Sequence, residues 1–154
     1  MALPDEETIR DRLRAVACLA GQEIAAKDIE VEIHKAPHAP SALPPGKIAV
    51  YVFFHNGRCL KVGRVGRNSN ARYASQHYAP GSSNSNLANS ILKSPDRIGI
   101  NFVEPERVGD WIKNNTDRIN IAFPADWGIP LLTLAEAFLQ FWLQPVYEGF
   151  RSQR

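Results

Sequence analysis

Two β-rich runs separated by a tight turn constrain the fold of this chain more than any other feature of its sequence. Residues 48–54 read Ile-Ala-Val-Tyr-Val-Phe-Phe and residues 58–63 read Arg-Cys-Leu-Lys-Val-Gly, with His55-Asn56-Gly57 between them. Asn-Gly is a strong hairpin signal because both residues tolerate the positive φ angles of a tight turn. The sequence therefore predicts an antiparallel β-hairpin over residues 48–63.

The register of this hairpin decides which side chains share a face, and two registers fit the sequence. A two-residue turn pairs Lys61 with Val52 and places the lysine on an apolar face, which is costly for a charged group. A three-residue loop, with Gly57 in the left-handed conformation and a bulge, moves the pairing by one residue and flips every side chain. We therefore predict the bulged loop, with Tyr51 opposite Lys61. The predicted faces are an apolar one of Ile48, Val50, Val52, Phe54, Leu60 and Val62, and an opposite one of Ala49, Tyr51, Phe53, Cys59 and Lys61.

Hydrophobic periodicity divides the chain into an N-terminal appendage, a connector and a main domain. Asp5 can cap a helix whose apolar residues recur at helical spacing until Gly21, and residues 29–33 alternate as a half-buried strand does. Residues 36–46 contain four prolines and are predicted to be a stiff connector. We therefore predict a helix–strand appendage over 1–35, a connector over 36–46 and a main domain over 47–154. Within the main domain we predict helices over 69–78, 87–93, 105–114 and 131–143, a strand over 117–123, and a strand or loop over 98–103.

Charge is unevenly distributed along the chain, although the net charge is only +2. Residues 33–95 contain eight Lys or Arg residues, all four histidines and no Asp or Glu. Phosphate contacts come from Lys and Arg and are weakened by nearby carboxylates, so this stretch is suited to binding a polyanion. Chance clustering of the basic residues is the alternative interpretation.

Several functional classes are disfavoured by what the sequence lacks. No run approaches the roughly 20 apolar residues of a membrane span, so we expect no membrane association. The N-terminus has neither the basic nor the apolar segment of a secretory signal. Cys18 and Cys59 have neither the pattern of a disulfide framework nor metal-ligand spacing, which favours a reducing, cytoplasmic location.

A single carboxylate lies within the most apolar segment of the chain. Residues 131–143 are predicted to form a buried helix that is apolar nearly all round, and Glu136 is the only charged residue in it. An unpaired carboxylate in such surroundings would be strongly destabilising or would protonate. Glu136 therefore needs a partner, which is either a Lys or Arg side chain or a divalent cation, since hard cations prefer oxygen ligands.

Four features, in this order along the chain, resemble the motifs of the GIY-YIG nuclease family. Ala49-Val50-Tyr51 lies where that family has Gly-Ile-Tyr, and Lys61-Val62-Gly63 lies where it has Tyr-Ile-Gly. Arg72 follows at the position of the family's helix arginine, and Glu136 at that of its metal-binding glutamate. Lysine at the second tyrosine position is similar to the restriction-endonuclease-like branch.

The resemblance covers residues 47–148 and implies an α+β fold in which helices flank a small three-stranded antiparallel sheet. It also implies a divalent-metal-dependent endonuclease that hydrolyses phosphodiester bonds in DNA, of the restriction or phage-defence kind, with RNA as an open alternative substrate. The chain departs from the family at Glu148, where an asparagine is usual, and at His77, which lies five residues after Arg72 instead of four.

The resemblance further implies a catalytic role for each site residue. Glu136 would bind one Mg²⁺ or Mn²⁺ ion, and Arg72 would clamp the scissile phosphate. Tyr51 would help to deprotonate the attacking water, but a free tyrosine has a pKa of about 10, so it needs a cation such as Lys61 beside it. His77 is the reserve base, and an ordinary surface histidine is the alternative.

The segment Gly63-Arg64-Val65-Gly66-Arg67 gives backbone access and two cations directly after a strand, so we predict phosphate contacts there. One catalytic site per chain cannot cut two strands at once, which predicts a homodimer. Two other functions fit the sequence: a catalytically inactive GIY-YIG-fold module that binds nucleic acid, and a protein whose basic face binds an acidic partner. The predicted nucleic-acid-binding residues are Arg58, Arg64, Arg67 and Asn70.

Overall fold

The structure of the protein is a computed structural model that describes residues 2–83, 86–101 and 103–147, so that Glu148 lies outside it. Within these residues the strands are β1 (Glu30–His34), β2 (Lys47–His55), β3 (Arg58–Val65) and β4 (Asp117–Pro124). The α-helices are α1 (Glu6–Leu19), α2 (Asn70–Ala74), α3 (Leu87–Lys93), α4 (Val108–Asn115) and α5 (Gly128–Leu143).

The four strands form one antiparallel sheet in the order β1-β4-β2-β3. The α+β class is therefore confirmed, but the sheet has four strands where three were predicted. The extra strand is β1, which comes from the N-terminal segment and pairs with β4, for example at Val31 and Ile121. This pairing covers an edge of β4 that would otherwise expose unsatisfied backbone groups. The segment predicted to be an appendage thus completes the sheet.

Successive side chains of a strand point to opposite faces of a sheet, and the central strands β2 and β4 are buried on both faces. The sheet therefore lies between two layers of helices. We call α1 and α5 the first layer, and α2, α3 and α4 the second layer. Strand residues facing the first layer include Ile48, Val50, Val52, Val62 and Ile121. Strand residues facing the second layer include Ala49, Tyr51, Phe53, Leu60 and Ala122.

Local signals explain where the two long helices begin and end. The Asp5 side chain accepts a hydrogen bond from the Thr8 amide at 2.7 Å and caps α1 as predicted, and Gly21 follows the helix with a φ of 84°. α5 begins earlier than predicted, at Gly128, and ends before Gln144, which has a positive φ of 48°. Among the described residues, no helix is both long and apolar enough to span a membrane.

The hairpin has neither of the two registers considered from the sequence. Asn56 and Gly57 have positive φ angles of 48° and 73° and form the tight two-residue turn that was rejected. The bulge lies farther from the turn, where the pairing shifts between Phe53 and Phe54 of β2. The predicted bulge at Gly57 is therefore wrong. Asn-Gly suits the tight turn, and the displaced bulge still turns Lys61 away from the first layer.

The displaced bulge changes the cross-strand partner of Tyr51. Tyr51 lies opposite Gly63, and Lys61 lies opposite Phe53, so the predicted pairing of Tyr51 with Lys61 is wrong. Residues directly opposite each other on neighbouring strands share a face. Tyr51 and Lys61 therefore remain on the same face, as diagonal neighbours facing the second layer.

Other departures from the predicted elements have local causes. Leu60 faces the second layer and Cys59 the first, the reverse of the prediction, because the bulge sets two residues of β3 against one of β2. The helix predicted over 69–78 is divided into α2 and a 3-10 turn at Gln76–Tyr78. The helix predicted over 105–114 begins at Val108. The segment predicted over 98–103 follows a 3-10 turn at Pro95–Ile98, and residue 102 lies outside the described residues.

Candidate functional site

Tyr51 is fully buried on the side of β2 that faces the second layer. Its ring lies over Gly63, its partner on the edge strand β3. A Cβ atom at residue 63 would lie 2.5 Å from the Tyr51 Cζ atom, far inside van der Waals contact. The tyrosine ring therefore requires glycine at this position. This packing explains the glycine of the Lys61-Val62-Gly63 segment.

Arg72 reaches the Tyr51 hydroxyl from α2. The Nε atom of Arg72 donates to the hydroxyl oxygen at 3.3 Å, and the arginine side chain is partly buried. A cation that donates to a hydroxyl oxygen stabilises negative charge on that oxygen. Two of the residues predicted for the site are thus in direct contact.

His77 adjoins this pair as a neutral side chain. The centroids of the His77 and Tyr51 rings are 4.4 Å apart, and His77 is fully buried, so the alternative of a surface histidine is wrong. Burial lowers the pKa of His77 to about 2, and three positive charges act in the same direction, those of Lys61, Arg118 and Arg72. The ring therefore carries no charge at neutral pH.

The hydrogen bonds of His77 limit its chemistry. Its Nδ1 atom accepts from the Leu87 amide at 3.3 Å, so the neutral ring carries its hydrogen on Nε2. The Nε2 atom is buried and has no hydrogen-bond partner within the part of the chain that the structure describes. In this tautomer Nε2 carries the hydrogen and has no lone pair for a proton from water. The geometry favours a donor role for His77 over the reserve base expected from the sequence.

Lys61 is fully buried on the same side of the sheet, opposite Phe53. Its charge is close enough to His77 to contribute to the lowered pKa of that ring. A buried ammonium group is a stronger electrostatic influence than an exposed one, because less water screens it. The structure therefore places the buried Lys61 and His77 and the partly buried Arg72 around Tyr51.

Glu136 is carried by α5 of the first layer and has Arg64 as one partner. The Arg64 Nε atom lies 3.3 Å from Glu136 Oε2, and Arg64 Nη1 also donates to the Thr133 hydroxyl on the same helix. The Glu136 side chain is 21% exposed, so it is less buried than the sequence predicted. This ion pair is the first of the two alternatives for Glu136. It is compatible with the second, since a carboxylate offers several lone-pair sites.

Glu136 offers a partly exposed carboxylate to a hydrated divalent cation, but the cation would share it with the Arg64 guanidinium. Mg²⁺ commonly keeps several waters and binds one or two carboxylates together with substrate phosphates. The partly exposed Glu136 carboxylate suits this mode of binding. Across residues 2–83, 86–101 and 103–147, no three His, Cys, Asp or Glu side chains are grouped to hold a metal. A cation held mainly by water and phosphate oxygens does not require such a group.

Three of the four predicted nucleic-acid-binding residues, Arg58, Arg67 and Asn70, are exposed. Arg58 lies at the start of β3, and Arg67 lies in the loop after β3, where it pairs with Asp126 at 2.9 Å. A cleft of about 440 Å³ separates this loop, residues 66–69, from the start of α5. Exposed ion pairs of this kind are weak, so Arg67 can exchange Asp126 for a phosphate at little cost.

The Pro-rich connector, residues 36–46, lies against the second layer. The buried His38 donates its main-chain amide to the Lys113 carbonyl at 2.9 Å. The Leu43 amide donates to the Asn70 side chain at 2.8 Å, so Asn70 ties the connector to the start of α2. Asn70 was predicted to bind nucleic acid, and this hydrogen bond gives it a structural role in addition.

A buried arginine that sequence reasoning missed lies beside the site. Arg118 is 1% exposed on β4, opposite Phe53. Its nitrogens donate to Asn120 Oδ1 at 2.8 Å, to the Tyr78 hydroxyl at 2.9 Å and to the Tyr73 carbonyl at 2.7 Å. Its guanidinium also lies 4.7 Å from the centroid of the Tyr73 ring. These hydrogen bonds and ring contacts stabilise a cation that is removed from water.

His38 extends the hydrogen bonds of Arg118 into the connector. His38 Nδ1 donates to the Thr116 carbonyl at 2.7 Å, and Nε2 accepts from the Tyr78 hydroxyl at 2.8 Å. Burial lowers the pKa of His38 and raises the pKa of Tyr78, which keeps the imidazole neutral and the hydroxyl protonated. Donation therefore runs in one direction, from Arg118 through Tyr78 and His38 to Thr116.

One sequence signal could have identified Arg118. Arg118 and Asn120 alternate with Ile119 and Ile121 along a strand, so they share one face of it. Such alternation normally marks a solvated face, but β4 is an inner strand covered on both sides. His38 had no comparable signal, because it lies in a segment without periodicity.

No family model, no curated protein and no solved structure matches this chain. The resemblance to the GIY-YIG family therefore rests on the order and spacing of the quoted residues and stays a prediction. On the second-layer side of the sheet the geometry provides one tyrosine, one histidine and three cations, of which Arg72 is partly buried. The partly exposed carboxylate of Glu136 is carried by α5, in the first layer on the other side of the sheet, so it belongs to a different layer from that group and has Arg64 as one partner.

Proposed function

We propose that this protein is a divalent-metal-dependent endonuclease that hydrolyses phosphodiester bonds in DNA. The observation that carries the proposal is the contact of Arg72 with the Tyr51 hydroxyl at 3.3 Å. The Arg118 guanidinium lies 5.7 Å from the centroid of the Tyr51 ring, which adds positive charge to the same group. Cations held in place around an ionisable hydroxyl suit a reaction whose transition state gains negative charge.

Each residue of the group has a role in the proposed reaction. Tyr51, as the phenolate, takes the proton of the attacking water and becomes the neutral phenol. Arg72 stabilises the phenolate before this transfer and the negative charge that then develops on the phosphate. A guanidinium suits the second task because its N–H groups match phosphate oxygens in pairs. Lys61 contributes positive charge, and His77 contributes the hydrogen-bond donor Nε2–H.

Glu136 is the residue that would hold Mg²⁺ or Mn²⁺. When bound, the ion supplies a Lewis acid that polarises the phosphate and stabilises the leaving oxygen. Arg64 orients the carboxylate through their ion pair. The exposed Arg58 and Arg67 side chains offer phosphate contacts to the DNA backbone. Because each chain provides one site, we expect a homodimer to cut both strands.

Nicking of supercoiled plasmid in the presence of Mg²⁺ or Mn²⁺ tests the proposal. We expect Glu136→Gln and Arg72→Gln each to lower the cleavage rate at saturating DNA by roughly 100-fold or more, because each removes stabilisation of the transition state. Glu136→Gln should leave the affinity for DNA largely intact. Glu104→Gln, which alters an exposed carboxylate paired with Arg107, is the matched control and should cleave at the wild-type rate.

A second control separates a metal ligand from a structural carboxylate. Arg64→Gln breaks the same ion pair as Glu136→Gln but keeps the carboxylate. If both variants lose cleavage at saturating DNA to the same extent and neither raises the Mg²⁺ concentration needed for half-maximal cleavage, the role of Glu136 is structural. If the wild-type protein shifts DNA on a gel but cleaves with neither metal, the protein is a binding module. Nucleic-acid affinity that does not fall with salt would favour an acidic protein partner instead.

A further inference from the structure

α2 cannot hold Arg72 in place by itself. It has five residues, and its N-cap residue Ser69 makes no side-chain capping hydrogen bond. Isolated helices shorter than about 12 residues are marginal in water, because the first turn costs more conformational entropy than its hydrogen bonds return. Contacts with other elements must therefore determine where the main chain at Arg72 lies.

Arg118 provides one such contact, and it is deeply buried. Its Nη2 atom donates at 2.7 Å to the carbonyl of Tyr73, the residue that follows Arg72. The same guanidinium lies over the Tyr73 ring, so it holds both the main chain and the side chain of that residue. Hydrogen bonds to Asn120 and Tyr78 fix the guanidinium itself. Arg118 thus ties α2 to the inner strand β4.

The same guanidinium also contacts the tyrosine side of the site. It lies 5.7 Å from the centroid of the Tyr51 ring and 5.3 Å from that of the Phe53 ring. One side chain therefore acts on both partners of the hydrogen bond between Arg72 and Tyr51. A lysine in its place would keep the charge but lose the flat face and the fixed fork of donors.

We propose that Arg118 is a positioning residue that holds Arg72 against the Tyr51 hydroxyl. It does so by fixing the main chain of α2 at Tyr73 and the ring of Tyr51 at the same time. The expected effect on cleavage rests on the function proposed above, whereas the expected effect on the position of Arg72 does not. The two are therefore tested separately.

The structural test follows the Nε–H resonance of Arg72 by NMR in arginine-labelled protein. Tyr51→Phe removes the hydroxyl that accepts from Arg72 Nε–H. The position of the Arg72 resonance in this variant is therefore the reference for the broken contact. We expect Arg118→Lys to move the Arg72 resonance to that reference position while the rest of the spectrum stays native. Arg107→Lys, at an exposed arginine, is the control and should leave the Arg72 resonance in place. An unmoved Arg72 resonance in folded Arg118→Lys overturns the proposal.

The kinetic test uses a double-mutant cycle on plasmid cleavage. Arg118→Lys should lower kcat about 10- to 100-fold with little change in KM, since a small displacement of a catalytic group has this effect. In an Arg72→Lys background the same substitution should have little further effect, because the two residues act as a unit. If Arg118→Lys only reduced the amount of folded protein, it would lower activity equally in the wild-type and Arg72→Lys backgrounds. That outcome contradicts the proposal.

A milder variant covers the case in which Arg118→Lys does not fold. Tyr78→Phe keeps the ring but removes one acceptor of Arg118, so the Arg72 resonance should move part of the way to its reference position. No movement in Tyr78→Phe also overturns the proposal. If the wild-type protein cleaves no DNA, the proposed nuclease function fails, and the NMR result still decides the role of Arg118.

Discussion

The approach of the Tyr51 ring to Gly63 is the tightest constraint on a single residue in the site. The hydroxyl end of the ring lies over a strand position that has no side chain, and this places the hydroxyl at the edge strand within reach of Arg72. The role of Gly63 therefore does not depend on unusual backbone angles. It depends on the space that a Cβ atom would take from the tyrosine.

Gly63→Ala should destabilise the protein and reduce cleavage. The added methyl group must displace the buried Tyr51 ring, and overpacking of this kind costs about 1–3 kcal/mol. Urea unfolding measures the loss of stability, and plasmid nicking measures the loss of activity. The displacement also breaks the geometry between Tyr51 and Arg72, so we expect the activity to fall even where the protein remains folded.

Gly66→Ala is the matched control for Gly63→Ala. A Cβ atom at Gly66 would meet its nearest neighbour, the Ile129 Cδ1 atom, at an ordinary 3.7 Å. We expect its free energy of unfolding to change by less than about 0.5 kcal/mol. The cost of Gly63→Ala should also shrink in a Tyr51→Ala background. A cost that persists there would show that something other than the ring requires the glycine.

At the scale of elements, the hairpin shows how a bulge away from the turn can place a charged residue. The tight Asn56-Gly57 turn alone would direct Lys61 towards the first layer. The register shift beyond Phe54 directs it to the second layer, where Tyr51 and His77 lie. The turn and the bulge are therefore separate devices, and each can be tested without disturbing the other.

Gly57→Ala should weaken the hairpin without altering the site directly. Gly57 has a φ of 73°, and a side chain in this left-handed region costs about 1–2 kcal/mol. The free energy of unfolding, measured with urea, should fall by this amount. Asn56→Gly is the comparison, since glycine tolerates the φ of 48° at that position, and its stability should remain close to wild type. Equal stability of Gly57→Ala and the wild type would contradict the assigned turn.

At the scale of the whole molecule, two buried histidines make the stability of the fold depend on pH. His77 and His38 are both buried as neutral rings near positive charges. The folded state can therefore protonate neither ring easily, whereas the unfolded chain can protonate both. Proton binding to the unfolded state is then linked to the stability of the entire fold.

The free energy of unfolding should fall as the pH decreases below about 6.5, the pKa of an unperturbed histidine. His77 has a folded pKa of about 2, so between these values the unfolded state binds more protons. One such group lowers stability by up to about 1.4 kcal/mol per pH unit. His38 acts in the same direction, because burial lowers its pKa too.

Urea unfolding at several pH values below neutral measures this slope. His77→Gln removes one of the two contributing groups, so its stability should fall less steeply with decreasing pH than that of the wild type. The contribution of His38 should remain in that variant. An unchanged slope in His77→Gln would mean that His77 is not held neutral in the folded protein.

The sequence by itself determined the features that depend on neighbouring residues. The Asp5 cap, the strands of the hairpin and the apolar helix around Glu136 follow from capping, alternation and periodicity, which act over a few residues. The ordered residues Tyr51, Lys61, Arg72 and Glu136 likewise suggested a common site. The structure gathers the first three on one side of the sheet, whereas Glu136 lies on α5 on the other side.

Only the tertiary structure decided the features that depend on residues distant in the chain. The pairing of β1 with β4 made the sheet four-stranded, and the burial of His77 beside three cations set its charge. The contact of Arg118 with the main chain of α2 joins segments 45 residues apart. Such contacts leave no local pattern, because their free energy comes from removing both partners from water together.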